Sequence, residues 1–382
     1  MATLKLYNPF PIEVDKGRGI YIYSKDGKEY TDTFSGIGVL SFGHSYEPLV
    51  TKMKDKMDRY MHMSNYFKDE DLDVLSGKLV EATGKDGKVF FTNSGTEATE
   101  AALKAVKKIA TEKKNKIIYF SKAFHGRTLG ALSLNGFKSL KEPFLPLLPD
   151  TVELMFNDAE LFEDYMTRYG EQVAAVFLET LQGSGGIVPV CPDFAEVVMK
   201  YRKICKYITV IDEIQAGLGR TGHIYSYQNF NVEPDIITSG KALGGGLPLG
   251  AAIFLGETSE FLKGADHGST FAPNPVALAG GRFLMEHLPE LLEETSKKGL
   301  YFKELLCNMK SSKIIEVRGM GLMIGAVLDK AYPELKDKAF KEENLLLNFV
   351  GNNSIIRLLP PLNIEYKEIE MIVSKLYKIL KN

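Results

Sequence analysis

The sequence has no tryptophan, three cysteines in 382 residues and almost no net charge, with 47 Lys and Arg against 49 Asp and Glu. Each shortage excludes something. A balance of −2 provides no basic field to attract phosphate backbones or anionic lipid, so neither nucleic acid nor a membrane surface is an expected partner. Cys191, Cys205 and Cys307 are odd in number and lack the C-x-x-C spacing of a zinc or redox site. That fits a reducing, cytoplasmic setting, no bound metal and a structural role for all three. The longest uncharged stretch, 242–256, has 15 residues, short of the ~20 that a spanning helix requires. Asn8 and Pro9 fall where a signal peptide needs an uninterrupted apolar segment, so no secretory leader is expected. No H-E-x-x-H or G-x-S-x-G occurs, and Gly319-Met-Gly-Leu-Met-Ile-Gly is one residue too long for a dinucleotide fingerprint. Metalloprotease, esterase and dinucleotide-binding readings therefore have no support.

What is present is ample apolar material, 45% of the residues, in a chain longer than the roughly 250–300 residues at which single cores stop growing. About two domains follow. In the middle of the chain, short apolar runs alternate with segments of helical period. The runs are Lys88-Val-Phe-Phe-Thr, Lys116-Ile-Ile-Tyr-Phe, Ala174-Ala-Val-Phe-Leu-Glu, Tyr207-Ile-Thr-Val-Ile-Asp and Asp235-Ile-Ile-Thr-Ser. Strands apolar on both faces and separated by helices predict a mostly parallel sheet in an α/β domain. The helix starting at Thr96 places Ala98, Ala101, Ala102, Ala105 and Ile109 on one stripe, and residues 192–203 and 278–288 behave similarly. The last third predicts a smaller α+β unit: two helical stretches flank two strands joined by a glycine turn within 314–328, and a short helix closes the chain. Near the start, Asp26-Gly27 predicts a hairpin.

Three positions fall at carboxyl ends of predicted strands, where open α/β sheets bind ligands. The loop Asn93-Ser94-Gly95-Thr96 leads into a helix whose free N–H groups suit a phosphate, although plain N-capping by Ser94 or Thr96 explains the same residues. Asp212 ends an apolar run and needs a cationic or hydrogen-bonding partner to stay ionised; a cap or an ion pair would account for it equally. Lys241 follows Ser239-Gly240 with no acid nearby in sequence and can be an amine nucleophile toward an aldehyde, or a solvent-pointing loop lysine. Together they offer a helix terminus, an acid and an amine, which match the phosphate, ring nitrogen and aldehyde of pyridoxal 5′-phosphate.

Seven segments then carry a family resemblance running from about Tyr7 to the C-terminus: Asn93-Ser-Gly-Thr-Glu-Ala, Ala123-Phe-His-Gly-Arg-Thr-Leu-Gly-Ala-Leu-Ser, Ile211-Asp-Glu-Ile-Gln-Ala-Gly-Leu-Gly-Arg-Thr-Gly, Lys241-Ala-Leu-Gly-Gly-Gly-Leu-Pro-Leu-Gly, Asp266-His-Gly-Ser-Thr-Phe, Val317-Arg-Gly-Met-Gly-Leu-Met-Ile-Gly and Ile356-Arg-Leu-Leu-Pro-Pro-Leu-Asn-Ile. The sequence resembles class III pyridoxal-phosphate aminotransferases of the acetylornithine/ornithine type. The resemblance implies the fold-type I architecture, a large domain with a mostly parallel seven-stranded sheet and a small α+β domain built from both chain ends. It divides the chain at 1–50, 51–275 and 276–382. It implies that Lys241 holds the cofactor and moves the substrate proton, and that Asp212 keeps the pyridinium nitrogen protonated. Gln215 would lie near the phenolic oxygen, Phe124 on the ring face, and Ser94, Gly95 and Thr96 at the phosphate. Thr270 would reach the phosphate of a second subunit, implying a homodimer with shared sites. Tyr7, Arg127 and Arg357 would hold substrate carboxylates. His125 invites a catalytic reading, but Lys241 already moves the proton, so His125 is expected to be structural or to act from behind the site.

The chain departs from the family at Gln182-Gly183-Ser184-Gly185-Gly186, where Ser184 stands in place of a glutamate that pairs with the second arginine. A buried guanidinium without a partner costs several kcal/mol in rough terms. Arg357 is therefore expected to face solvent, to find another acid such as Glu179, or to await a substrate carboxylate. Leu40 and Ala272-Pro273 depart as well. The expected activity is amino transfer from an acetylornithine- or ornithine-like donor to a keto acid such as 2-oxoglutarate. The alternatives are a broad α-amino-acid transaminase, a class III racemase or epimerase, and a protein that kept the fold without catalysis.

Overall fold

The computed structural model describes residues 3–381. Its centre is a seven-stranded sheet made of β1 (Gly87–Thr92), β2 (Lys116–Phe120), β3 (Thr151–Leu154), β4 (Val173–Leu178), β5 (Ile208–Asp212), β6 (Ile236–Ser239) and β7 (Gly250–Leu255). They run in the order β1-β7-β6-β5-β4-β2-β3. Strand β7 is antiparallel to both neighbours, and the other pairings are parallel. This is the α/β, fold-type I arrangement. All five strands expected from apolar runs are present. The other two are β3, a four-residue edge strand with polar positions, and β7, the second half of the uncharged stretch 242–256, where two alanines and a glycine weaken the strand signal.

The helix Gly95–Ile109 covers one face of this sheet through Ala98, Ala101, Ala102, Ala105 and Val106, all with no exposed surface. Small side chains let the helix approach Phe177, Val210 and Ile236 closely. Ile109 does not continue the stripe as expected. It is the last helical residue, has lost the sheet beneath it, and is exposed.

Both chain ends build the smaller part. The hairpin Tyr21–Ser24 and Glu29–Asp32 turns at Gly27, whose φ of 82° suits glycine. Its second strand pairs in parallel with Leu345–Leu346, from the far end of the chain. Ile314–Met320 and Met323–Leu328 form the expected antiparallel pair around Gly321, and Ile355–Leu358 and Asn348–Val350 complete that sheet. The closing helix, Tyr366–Lys381, has 16 residues rather than being short. Ile369, Ile372, Leu376 and Ile379 bury one face of it completely or nearly so, and this period-3.6 stripe continues to the end of the described chain. Among the described residues no helix is long and apolar enough to cross a membrane, and no cluster of His, Cys, Asp and Glu could hold a metal ion. The cysteines are free thiols. Cys191 and Cys307 are exposed, so the structural reading corrects to surface positions for these two, and only Cys205 is partly packed.

Candidate active site

Where β1 ends, Ser94 caps the helix Gly95–Ile109 by accepting the Glu97 N–H at 3.4 Å, and the Glu97 carboxylate accepts the Asn93 N–H at 2.8 Å. This reciprocal cap leaves the first N–H groups of the helix, those of Gly95 and Thr96, aimed outward at the positive end of the helix dipole. A Cβ on Gly95 would lie 2.7 Å from the Ile214 side chain, so glycine lets this loop close on the turn after β5. Ser94, Gly95, Thr96, Phe124, Arg127 and Lys241 line one cleft of about 470 Å³. Larger hollows elsewhere on the surface, such as one of about 880 Å³ beside Lys16 and His44, contain no comparable set of groups.

Asp212, at the end of β5, is buried. One carboxylate oxygen accepts the Ile214 N–H at 3.0 Å, and the other lies 2.7 Å from His125 Nδ1. Burial alone would lower the pKa of His125, but the hydrogen bond and charge of Asp212 outweigh it and raise the value. His125 thus sits directly behind Asp212, and its Nε2 has no hydrogen-bond partner among the described residues. Lys241 follows β6 in a left-handed conformation, φ 46°. Enclosure of its amine lowers the pKa to about 8, with the charge of Asp212 opposing the shift and that of Arg357 adding to it.

Glu179 directly follows β4 and is buried, accepting N–H groups from Phe124 at 3.1 Å and Gly183 at 3.4 Å. Burial pushes its pKa up to about 7 against the opposing charge of His125. Arg357 is also buried, so it does not face solvent, and it forms no ion pair with Glu179 or any other acid among the described residues. Instead it donates from Nε to Asn348 Oδ1 at 2.8 Å and from Nη1 to Gln215 Oε1 at 3.1 Å. Burial lowers its pKa to about 10, which leaves it cationic at neutral pH. Arg357 thus neither faces solvent nor forms an ion pair, although the charge of Glu179 still acts on it and opposes the lowering.

A family profile, aminotransferase class-III, matches residues 4–380. The chain belongs to the class-III aminotransferases. An acetylornithine aminotransferase of Aquifex aeolicus is 38% identical over 382 residues, 98% of each chain. The N-acetylornithine aminotransferase of Stenotrophomonas maltophilia superposes with a TM-score of 0.84 at 30% identity, covering 98% of this chain and 96% of that one. An ornithine aminotransferase of Toxoplasma gondii, described with partial occupancy of PLP at its active site, gives a TM-score of 0.92 at 27% identity over 100% of this chain and 92% of that one. This class-III chain is a pyridoxal-phosphate-dependent aminotransferase. The racemase and non-catalytic alternatives are set aside by the same relatives.

The residues suit that cofactor. The two helix N–H groups can take a phosphate. Asp212 keeps acceptor capacity beyond its two present hydrogen bonds, enough for a ring N–H. The Lys241 amine has a lowered pKa. Gln215 presents Oε1 to Arg357, which leaves its amide NH₂ for an oxygen. The cleft does not collect every expected residue: Asp212, Gln215, Glu179 and Arg357 lie outside its lining. Tyr7 is 86% exposed and Thr270 is exposed on this chain, and neither lines the cleft. Thr96 Oγ1 is engaged by the Arg127 and Thr128 N–H groups and the Thr128 hydroxyl, so its backbone, rather than its hydroxyl, is free for a phosphate. Leu40 packs toward Gly246 at the rim, and Ala272–Pro273 is a cis peptide whose Ala272 is buried. Sequence reasoning did not identify Asn348. The Gly351-Asn352-Asn353 turn was the available signal, because it sets Asn348 directly opposite Arg357 in the strand pairing.

Proposed function

We propose that this aminotransferase takes an acetylornithine- or ornithine-like donor and passes the amino group to a keto acid such as 2-oxoglutarate, the two substrates using one site in turn. The buried Arg357, which has no ion-pair partner among the described residues, together with the exposed Arg127 that lines the cleft, supports this reading. Two cations at different depths suit substrates with a carboxylate and a second polar end. Ser94, Gly95 and Thr96 would hold the cofactor phosphate, Asp212 its ring nitrogen, Phe124 its ring face and Gln215 its phenolic oxygen, with Lys241 at the aldehyde. When bound, the cofactor supplies an electron sink for the bond pair released at the substrate carbon that bears the reacting amine.

The chain supplies the rest. Lys241, with a pKa of about 8, is partly neutral near pH 7.5 and can take and return the proton on the carbon that bears the reacting amine. Asp212, backed by His125, keeps negative charge at the ring nitrogen. Arg127 and Arg357, with Tyr7 at the margin, would orient carboxylates, with Glu179 as a further substrate-side residue. The buried Arg357 favours a second reading as well, a broadened preference for α-amino acids, since no direct ion pair among the described residues competes with their carboxylate.

The site is proposed to be shared by a homodimer. Tyr66, Phe67, Met61 and Phe271 are 63–95% exposed, and Asn65 ties this patch to the Thr270 loop through the Ser269 carbonyl at 3.0 Å. Such an apolar surface beside Thr270 supports its burial against a second copy. A cytoplasmic location and a division at 1–50, 51–275 and 276–382 complete the reading. Initial rates for N-acetylornithine, ornithine, 4-aminobutyrate, lysine and neutral α-amino acids, with 2-oxoglutarate and pyruvate as acceptors, test it. A panel in which neither N-acetylornithine nor ornithine exceeds the neutral α-amino acids would replace the first reading with the second.

A further inference from the structure

Arg220 is the largest fully buried side chain of the described residues, and neither cofactor nor substrate binding uses it. It has no acidic partner. Nη1 donates to the carbonyl oxygens of Leu322, at 3.2 Å, and Pro360, while Nη2 has no partner among the described residues. Burial lowers its pKa to about 9, so at neutral pH it is an uncompensated internal cation. A buried charge of this kind is costly, and a local rule broken without compensation points toward a functional constraint.

Its surroundings identify that constraint. Arg220 closes the turn that begins at Asp212 and carries Gln215. Its own carbonyl accepts the Leu322 N–H at 3.0 Å, so it grips Leu322 at both backbone groups. Leu322 immediately precedes the strand Met323–Leu328, in which Gly325 sits opposite Arg357. Pro360 lies three residues beyond Arg357 on the other side. One of the two strands paired with the strand bearing Arg357, and the segment that continues that strand, are therefore both fastened to Arg220, five residues from Gln215, whose Oε1 accepts from Arg357.

We propose that Arg220 is a positioning residue for carboxylate recognition: it sets the strand carrying Arg357 against the turn carrying Gln215, so that the Arg357 guanidinium meets a substrate carboxylate in a fixed orientation. This rests on the reading of Arg357 as a carboxylate-binding residue. The role needs both a backbone grip and a donor of fixed shape, and a planar guanidinium bridging two carbonyls supplies them better than a flexible ammonium.

The test uses glutarate, a dicarboxylate with no amine or keto group to react, titrated calorimetrically into the holoenzyme. Arg220→Met should weaken glutarate about tenfold, the size of coupling common between residues in one network, while the cofactor absorbance stays that of the parent. Arg220→Lys should weaken it less, and Arg357→Ala at least as much as Arg220→Met. In the double variant Arg220→Lys/Arg357→Ala, the first change should add no further loss, because there is no guanidinium left to position. If Arg220→Met does not yield holoenzyme, Arg220→Lys and the double variant carry the test. Unchanged glutarate affinity in the Arg220 variants, or full additivity with Arg357→Ala, would overturn the positioning role while leaving Arg357 in place. Unchanged affinity in Arg357→Ala itself would overturn the carboxylate reading and this proposal together.

Discussion

Asn348→Asp is the sharpest perturbation of the site because it changes charge without changing shape. Asn348 Oδ1 lies 2.8 Å from Arg357 Nε, and an aspartate oxygen can occupy the same place. At that distance two unit charges attract by about 6 kcal/mol at an effective dielectric near 20. Desolvation of the new carboxylate cancels much of this, leaving the about 1.5–3 kcal/mol typical of a hydrogen bond to a charged group. A substrate carboxylate must now compete with an internal one, so affinity falls about 10- to 150-fold. The assays are the KM for 2-oxoglutarate and the dissociation constant of glutarate on the holoenzyme. Asn348→Leu is the control, because it removes the neutral acceptor and adds no charge. It should lower stability by about 1–3 kcal/mol through an unpaired buried Nε–H, without masking Arg357 from carboxylates. If Asn348→Asp bound glutarate as tightly as the parent, Arg357 would not be the carboxylate receptor and the electrostatic account of the site would fail.

Covalent attachment of pyridoxal phosphate to the apoprotein should accelerate with pH around a midpoint of about 8, the Lys241 value; near pH 7.5 about a quarter of the amine is neutral, against about 0.1% for an ordinary lysine. A rate still climbing steeply toward pH 10 would contradict the enclosure of that amine. In Gly183→Ala, the new Cβ would lie 1.9 Å from Gln215 Oε1, which displaces the acceptor of Arg357 Nη1. The expected cost is about 1–3 kcal/mol of stability with a raised KM for 2-oxoglutarate, read by thermal melts and steady-state kinetics. Ser184→Glu should shift the donor ranking away from α-amino acids and toward N-acetylornithine and ornithine, and an unchanged ranking in the same initial-rate panel would remove Ser184 from the explanation of specificity.

The sheet was legible wherever burial on both faces made a continuous apolar run, as in Val173–Leu178, where every residue is buried. It was illegible where strand chemistry was diluted. Thr151–Leu154 lies at an edge and retains an exposed glutamate, and Gly250–Leu255 owes its place to pairing on both sides rather than to β-branched residues. The same limit explains Ile109. Periodicity identifies a helix face, but the extent of the sheet beneath it is a tertiary fact.

For the site, local spacing revealed the residues presented by strand ends, because Ser94, Asp212 and Lys241 each follow a run that predicts its own termination. The charge balance was not local. Arg357 is 142 residues from Gln215 and pairs with Asn348 across a hairpin, and Ser184 in the position of a family glutamate showed only that an acid was missing. The structure resolves the deficit with two amide oxygens and a buried, unpaired guanidinium. Amides stabilise the cation less than a carboxylate would, but they also offer no negative charge that a substrate must displace. An arginine held this way is oriented without being neutralised, and that combination suits a site that must bind one carboxylate after another as donor and acceptor alternate.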